Sequence, residues 1–110
     1  MSYNIFITHR FEKELKRLAK KHPSLKKDFS NILDKLSKSA STGSSIGKNC
    51  YKIRLNITSK GKGKRGGARV ITYLYIQTET LYLLTIYDKG EKSTLRPKEL
   101  KEMIANLDLG

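Results

Sequence analysis

Between Cys50 and Asp88 the chain carries three strand-like runs in succession, and they restrict the fold more than any other feature. In CYKIRLNIT (Cys50 to Thr58), Tyr51, Ile53, Leu55 and Ile57 alternate with Lys52, Arg54, Asn56 and Thr58. Successive strand side chains point to opposite sides, so this period of two gives one buried and one polar face. Lys52 and Arg54 project together from the polar face. ARVITYLYIQ (Ala68 to Gln77) and LYLLTIYD (Leu81 to Asp88) are apolar on both faces, as inner strands are. The short TET between them predicts a hairpin.

A sheet of this kind needs helices to cover it, and the flanking sequence supplies them. YNIFIT (Tyr3 to Thr8) is β-branched and aromatic and predicts a first strand. Thr8 is placed to cap a helix whose apolar stripe is Phe11, Leu15, Leu18 and Ala19, and His22-Pro23 stops it. Ser24 then opens a second helix with the stripe Leu25, Phe29, Ile32, Leu33, Leu36 and Ala40. Two helices joined by a short turn pack antiparallel. SASTGSSIGKN (Ser39 to Asn49) is small and polar and predicts a loop. Arg96-Pro97 opens a last helix with Leu100, Met103, Ile104 and Leu107 on one face. The expected fold is α+β, in the order β-α-α-β-β-β-α. A twisted antiparallel sheet would carry the helical hairpin on one face, with a C-terminal helix following and the other face partly open. At 110 residues, a single domain spanning 1–110 is expected.

Charge narrows the function. Lys and Arg number 23 against 10 Asp and Glu, a formal net charge of +13. Such self-repulsion favours an anionic partner, with nucleic acid first and a membrane surface or an acidic protein next. After Asp34 the next acid is Glu79, so the middle of the chain is its cationic zone. Cys50 is the one cysteine, which excludes an intrachain disulfide and a Cys-rich metal site. The apolar run in MSYNIFITHR is too short for a signal peptide or a membrane span, so a cytoplasmic protein without membrane contact is expected. GSSIGKN and GKGKRGG both miss the spacing of a phosphate-binding P-loop.

KGKGKRGGARV (Lys60 to Val70) divides into two parts. Lys60, Lys62, Lys64 and Arg65 read as a cationic loop suited to RNA or, alternatively, as a solvated one. Gly66-Gly67 lets the backbone turn tightly into the sheet. Arg69 then lies on a strand with Ile71, Tyr73 and Tyr75 on its own face. If that face is also the face of Lys52 and Arg54, cations and tyrosines adjoin. Cations neutralise phosphates and aromatic rings stack on unpaired bases. Lys89 and Lys92 follow on a loop at a strand end. The alternatives are a surface ion pair for Arg69 and core packing for Tyr73, Tyr75 and Tyr82. His9 and His22 are expected at the surface, and Cys50 inside.

RNA cleavage by the 2′-OH needs that hydroxyl deprotonated, the phosphorane stabilised and the leaving 5′-oxygen protonated. Neither histidine lies in the cationic zone. Lysines crowded by other cations can do proton work instead, and Arg can hold the developing charge.

FEKELKRLAKK, CYKIRL, GKGKRGGARVITYLY and LYLLTIYDKGEKSTL, in this order and spacing, resemble the RelE/ParE superfamily of bacterial type II toxin–antitoxin toxins, from about Tyr3 to Leu107. The Gly-Gly-x-Arg before one strand and the Lys-x-Glu-Lys after the next look most like the HigB-type branch. The resemblance implies an mRNA interferase that enters the ribosome and cleaves mRNA there without metal or other cofactor. It also implies a cognate antitoxin, acidic or carrying a helix-turn-helix. Lys52 and Arg54 match the basic pair of the first core strand, Arg69 the strand arginine, and Lys89 and Lys92 the loop cations. Arg54 and Arg69 are then expected to hold the phosphate, and Lys52, Lys89 or Lys92 to move protons. Where the RelE branch places a catalytic Tyr at the start of the last helix, this chain has Arg96, a further expected RNA contact. Tyr87 stands earlier, at the strand end, and substitutes only if the loop folds back. Two other classes stay open: a ParE-like inhibitor of DNA gyrase and a non-enzymatic RNA-binding or ribosome-associated protein.

Overall fold

The computed structural model of the protein describes residues 3–60, 67–92 and 94–109. The elements are β1 (Asn4–Ile7), α1 (His9–Lys21), α2 (Leu25–Lys38), β2 (Ser44–Gly47), β3 (Cys50–Leu55), β4 (Ala68–Tyr75), β5 (Thr80–Asp88) and α3 (Pro97–Ala105). Short 3-10 turns occupy Thr58–Lys60 and Ile76–Thr78. The strands form one five-stranded sheet in the order β1-β5-β4-β3-β2.

The α+β class and the helical hairpin agree with the sequence reading. Two details of the sheet do not. Its strands are mixed rather than all antiparallel, because β1 runs parallel to β5, Asn4 opposite Thr80 through Ile7 opposite Leu83. The chain reaches β5 only after both helices and three further strands, so this pairing joins segments far apart in sequence. The Ser-rich segment expected to be a loop also contributes a fifth strand: β2 pairs antiparallel with β3, Ser44 opposite Lys52 and Ser45 opposite Tyr51. Its side chains are all exposed, so no apolar alternation marks it in the sequence.

The starts of α1 and α3 agree with the reading; at α2 the expected Ser24 cap bond does not form. The Thr8 side chain accepts the Phe11 N–H at 3.2 Å and starts α1. Ser24 precedes α2 but sends its hydroxyl to Asp28 instead of capping. Pro97 takes the first turn of α3, and the Glu99 carboxylate reaches back to the Arg96 N–H at 3.0 Å. The β4–β5 link is a 3-10 turn closed by Glu79 in the left-handed region (φ 50), so β4 ends at Tyr75 and not at Gln77.

Each sheet face has its own core. Phe11, Leu18, Leu25, Phe29, Ile32 and Leu36 of the hairpin bury Ile53, Leu55, Val70, Leu81, Leu83 and Ile86 on one face. Leu100 and Met103 of α3 bury Ile71, Leu84, Tyr87 and Cys50 on the other. The second face is therefore divided: α3 covers its middle, while Lys52 and Arg54 toward one edge and Phe6 toward the other are exposed. A β-bulge in β5 sets the phase. Thr85 opposes Ile71 but Leu83 opposes Thr72, so Leu84 is the extra residue. Glu14 of α1 secures the bulge by accepting the Thr85 hydroxyl at 2.7 Å and the Ile86 N–H at 3.2 Å. Among the described residues no helix is long and apolar enough to cross a membrane.

Candidate functional site

The register decides the question left open by the sequence. Arg54 lies directly opposite Arg69, and Lys52 opposite Ile71. Directly paired residues of an antiparallel ladder share a face, so Lys52, Arg54 and Arg69 form one cationic group on the α3 side of the sheet. Tyr87 lies opposite Arg69 on the next strand and joins them.

A cleft of about 420 Å³ opens beside this group at the β2–β3 edge. Lys35, Lys52, Arg54, Arg69 and Lys89 line it, together with Thr42, Gly43 and Ser44, and among the described residues no carboxylate lines it. The cations differ in setting. Lys52, Arg54 and Lys89 are exposed. Arg69 is 4% exposed, with one guanidinium nitrogen donating to the Ala68 carbonyl at 3.1 Å. Arg69 is thus buried rather than at the surface, and it stands as one wall of the cleft. Such an arrangement can bind a phosphate and stabilise extra negative charge on it.

A second cleft, also about 420 Å³, adjoins the first across Lys52. Its walls are apolar: Ile46, Ile71, Tyr87, Leu95, Pro97 and Leu100. Burial raises the Tyr87 phenol above its ordinary pKa, the Arg69 charge opposes the rise, and Glu99 adds to it. Tyr87 thus keeps its proton at neutral pH and can only donate it.

Other expected site residues lie elsewhere. Lys92 points to α3, where its ammonium meets Glu99 and helps hold that carboxyl down at about 2. Arg96 is 79% exposed at the start of α3, beside the same Glu99. Tyr73 stands at the far end of the sheet face, in a row with Phe6 and Tyr82. Ring centroids are 5.4 Å apart for Phe6–Tyr82, 6.4 Å for Tyr82–Tyr73 and 6.3 Å for Tyr73–Tyr75. Lys62, Lys64 and Arg65 lie outside the described residues, and Lys60 closes the 3-10 turn that leads to them.

That turn is anchored. The carboxylate of Asp28, 8% exposed, accepts the Thr58 hydroxyl at 2.6 Å, the Thr58 N–H at 2.9 Å and the Ser24 hydroxyl at 2.7 Å. Burial alone would raise the Asp28 pKa; the bonds from Thr58 and Ser24 outweigh it and leave the value lowered. The loop after β5 is anchored too. His22, expected at the surface, has a side chain only 13% exposed, and its Nε2 lies 3.1 Å from Asp88 Oδ2. Glu91 binds Arg17 at 2.8 Å and also Lys21, bonds that hold its carboxyl down at about 2. Lys35, Gly43 and these anchors escaped the sequence reading. A Gly within a Ser-rich run was the one signal for Gly43, whose φ is +104.

Among the described residues no group of three or more His, Cys, Asp or Glu is placed to hold a metal ion. No protein-family model matches the chain. Solved structures do match. A mutant of the E. coli toxin RelE in the free state superposes with a TM-score of 0.65 at 15% identity, covering 98% of this chain and all of that one. The intact E. coli RelBE toxin–antitoxin complex gives a TM-score of 0.59 at 17% identity, over 77% of this chain and 94% of that chain. Three helices around a five-stranded mixed sheet, superposed along nearly the whole chain, are a RelE-like fold.

Proposed function

We propose that the chain is the toxin of a type II toxin–antitoxin system and that it cleaves mRNA on the ribosome. The observation that carries this reading is the cationic cleft where Lys52, Arg54, Arg69 and Lys89 converge on a RelE-like fold. Arg54 and Arg69 hold the scissile phosphate and the charge that develops on it. The 2′-oxygen attacks phosphorus, the bond to the 5′-oxygen breaks, and a 2′,3′-cyclic phosphate remains. Lys52 and Lys89 take the 2′ proton and return one to the 5′-oxygen; that both line the cleft supports these roles. Lys92 is committed to Glu99, and Tyr87 is a donor at the margin. The Gly66-Gly67-x-Arg69 and Lys89-x-Glu91-Lys92 spacings support the HigB-type branch. An antitoxin with an acidic segment fits a +13 chain.

The test uses Arg54→Gln, because Arg54 is exposed whereas Arg69 is buried and its removal would disturb folding. Purified wild-type chain added to a translating extract should cut ribosome-bound mRNA. The variant should cut about 100-fold more slowly at an unchanged unfolding temperature. Full cleavage by a folded Arg54→Gln chain would sink the assignment. Gyrase inhibition without mRNA cutting would favour the ParE-like reading, and salt-sensitive RNA binding without either would favour a plain binder.

A further inference from the structure

The loop after β5 sorts its charges in three directions. Asp88 and Glu91 face α1, Lys92 faces α3, and Lys89 lines the cationic cleft. This sorting has a physical requirement behind it. Lys89 is the fifth cation around one cleft, and like charges at close range repel. A loop lysine is free to swing away from such a neighbourhood unless something holds its backbone.

Helix α1 supplies the hold, from the other side of the sheet. Asp88 Oδ2 meets His22 at 3.1 Å while its Oδ1 accepts the Gly90 N–H at 2.9 Å, which fixes the turn on both sides of Lys89. The Lys89 N–H itself donates to the Gly67 carbonyl at 2.9 Å, at the foot of β4. Glu91 is gripped by Arg17 and Lys21, one helical turn apart on α1. Asp88 meets His22 and Glu91 meets α1, and among the described residues lining the cleft there is no carboxylate. We propose that Arg17 and Lys21 of α1 and His22 just beyond its end, acting through Glu91 and Asp88, are positioning residues that hold Lys89 in the cleft. The inference deepens the mRNA-cleavage reading and rests on it.

The test separates position from activity. In Glu91→Gln, amide hydrogen exchange at Lys89 and Gly90 should speed up about tenfold while core amides and the unfolding temperature stay as they are. The kcat for ribosome-bound mRNA should fall about tenfold with KM little changed, because a displaced proton-transfer group affects chemistry more than docking. Reversing the pair, Glu91→Arg with Arg17→Glu and Lys21→Glu, should restore kcat to within about threefold. Unchanged exchange, or unchanged kcat, in a folded Glu91→Gln chain overturns the proposal. So does a Lys89→Ala chain that cuts normally while Arg54→Gln does not, an outcome that leaves the cleavage reading standing. Failure of the parent reading shows earlier and separately, as a wild-type chain that cuts no mRNA at all.

Discussion

Removing the Asp28 carboxylate should weaken the protein more than its position at the start of a surface helix suggests. Three donors converge on it at 2.6, 2.7 and 2.9 Å, and it is nearly buried. A hydrogen bond to a charged group contributes about 1.5–3 kcal/mol. The three share one acceptor group and water reaches their outer edge, so Asp28→Ala should cost about 3–4 kcal/mol rather than the full sum. For a domain of this size that lowers the unfolding midpoint by about 10–15 °C. Asp28→Asn should be milder, about 1 kcal/mol. A carboxamide oxygen turned toward the Thr58 N–H and Ser24 hydroxyl keeps those bonds, and its NH₂ can donate to the Thr58 oxygen, so only the charge is lost. Urea unfolding at pH 7 reads both numbers, with the exposed Asp34→Ala as a control expected within about 0.5 kcal/mol of wild type. The pH dependence has a definite sign. A lowered folded pKa means the stabilisation is complete above the unfolded carboxyl value, about 3.9, and is lost as pH falls through the lower folded value. The gap between wild type and Asp28→Ala should therefore be constant from pH 5 to 8 and close from about pH 4 downward. An Asp28→Ala cost no larger than the control, or a gap that persists undiminished in acid, would refute the reasoning.

Three other outcomes follow from single contacts. Gly43→Ala should destabilise by about 2 kcal/mol and weaken RNA binding, because φ is +104 and a Cβ there would lie 2.7 Å from the Lys52 carbonyl; urea titration and filter binding read the two effects. Cys50 is buried and its thiol is pushed up to about 11, so it should stay inert to a thiol reagent at pH 8 and react only after denaturant unfolds the chain. Lys92→Met should raise the Glu99 carboxyl from about 2 toward its ordinary range, read by carbon NMR titration of that side chain.

The elements with strong periodicity were legible in the sequence. The stripes of α1 and α2, the alternation of β3 and the Arg96-Pro97 helix start all appear where the residues predict them. So does the sharing of one face by Lys52, Arg54 and Arg69, although only the register between β3 and β4 could establish it. What escaped depends on contacts distant in sequence. β2 buries no side chain, so its pairing leaves no hydrophobic trace. The parallel union of β1 with β5 joins segments separated by both helices and three strands. Lys35 reaches the cleft from α2, and a solvent-facing lysine on a helix carries no mark of such a role. The partial burial of His22 goes with its contact to Asp88, a residue far along the chain.

The bulge in β5 bears on how such a strand tolerates change. Odd and even positions normally stay on opposite sides, yet Tyr82 and Tyr87 both face α3 because Leu84 adds one step to the count. Deleting a single residue there would straighten the strand and reverse everything beyond it. Asp88 would enter the cleft, Tyr87 would turn under α1, and a wall whose described charges are all positive would acquire an acid. Substitutions at the same place leave the count intact. The sign of the site is thus guarded by the length of one strand more than by the identity of the residues in its middle. Among related chains, an insertion or deletion between Tyr82 and Tyr87 should be far rarer than a replacement.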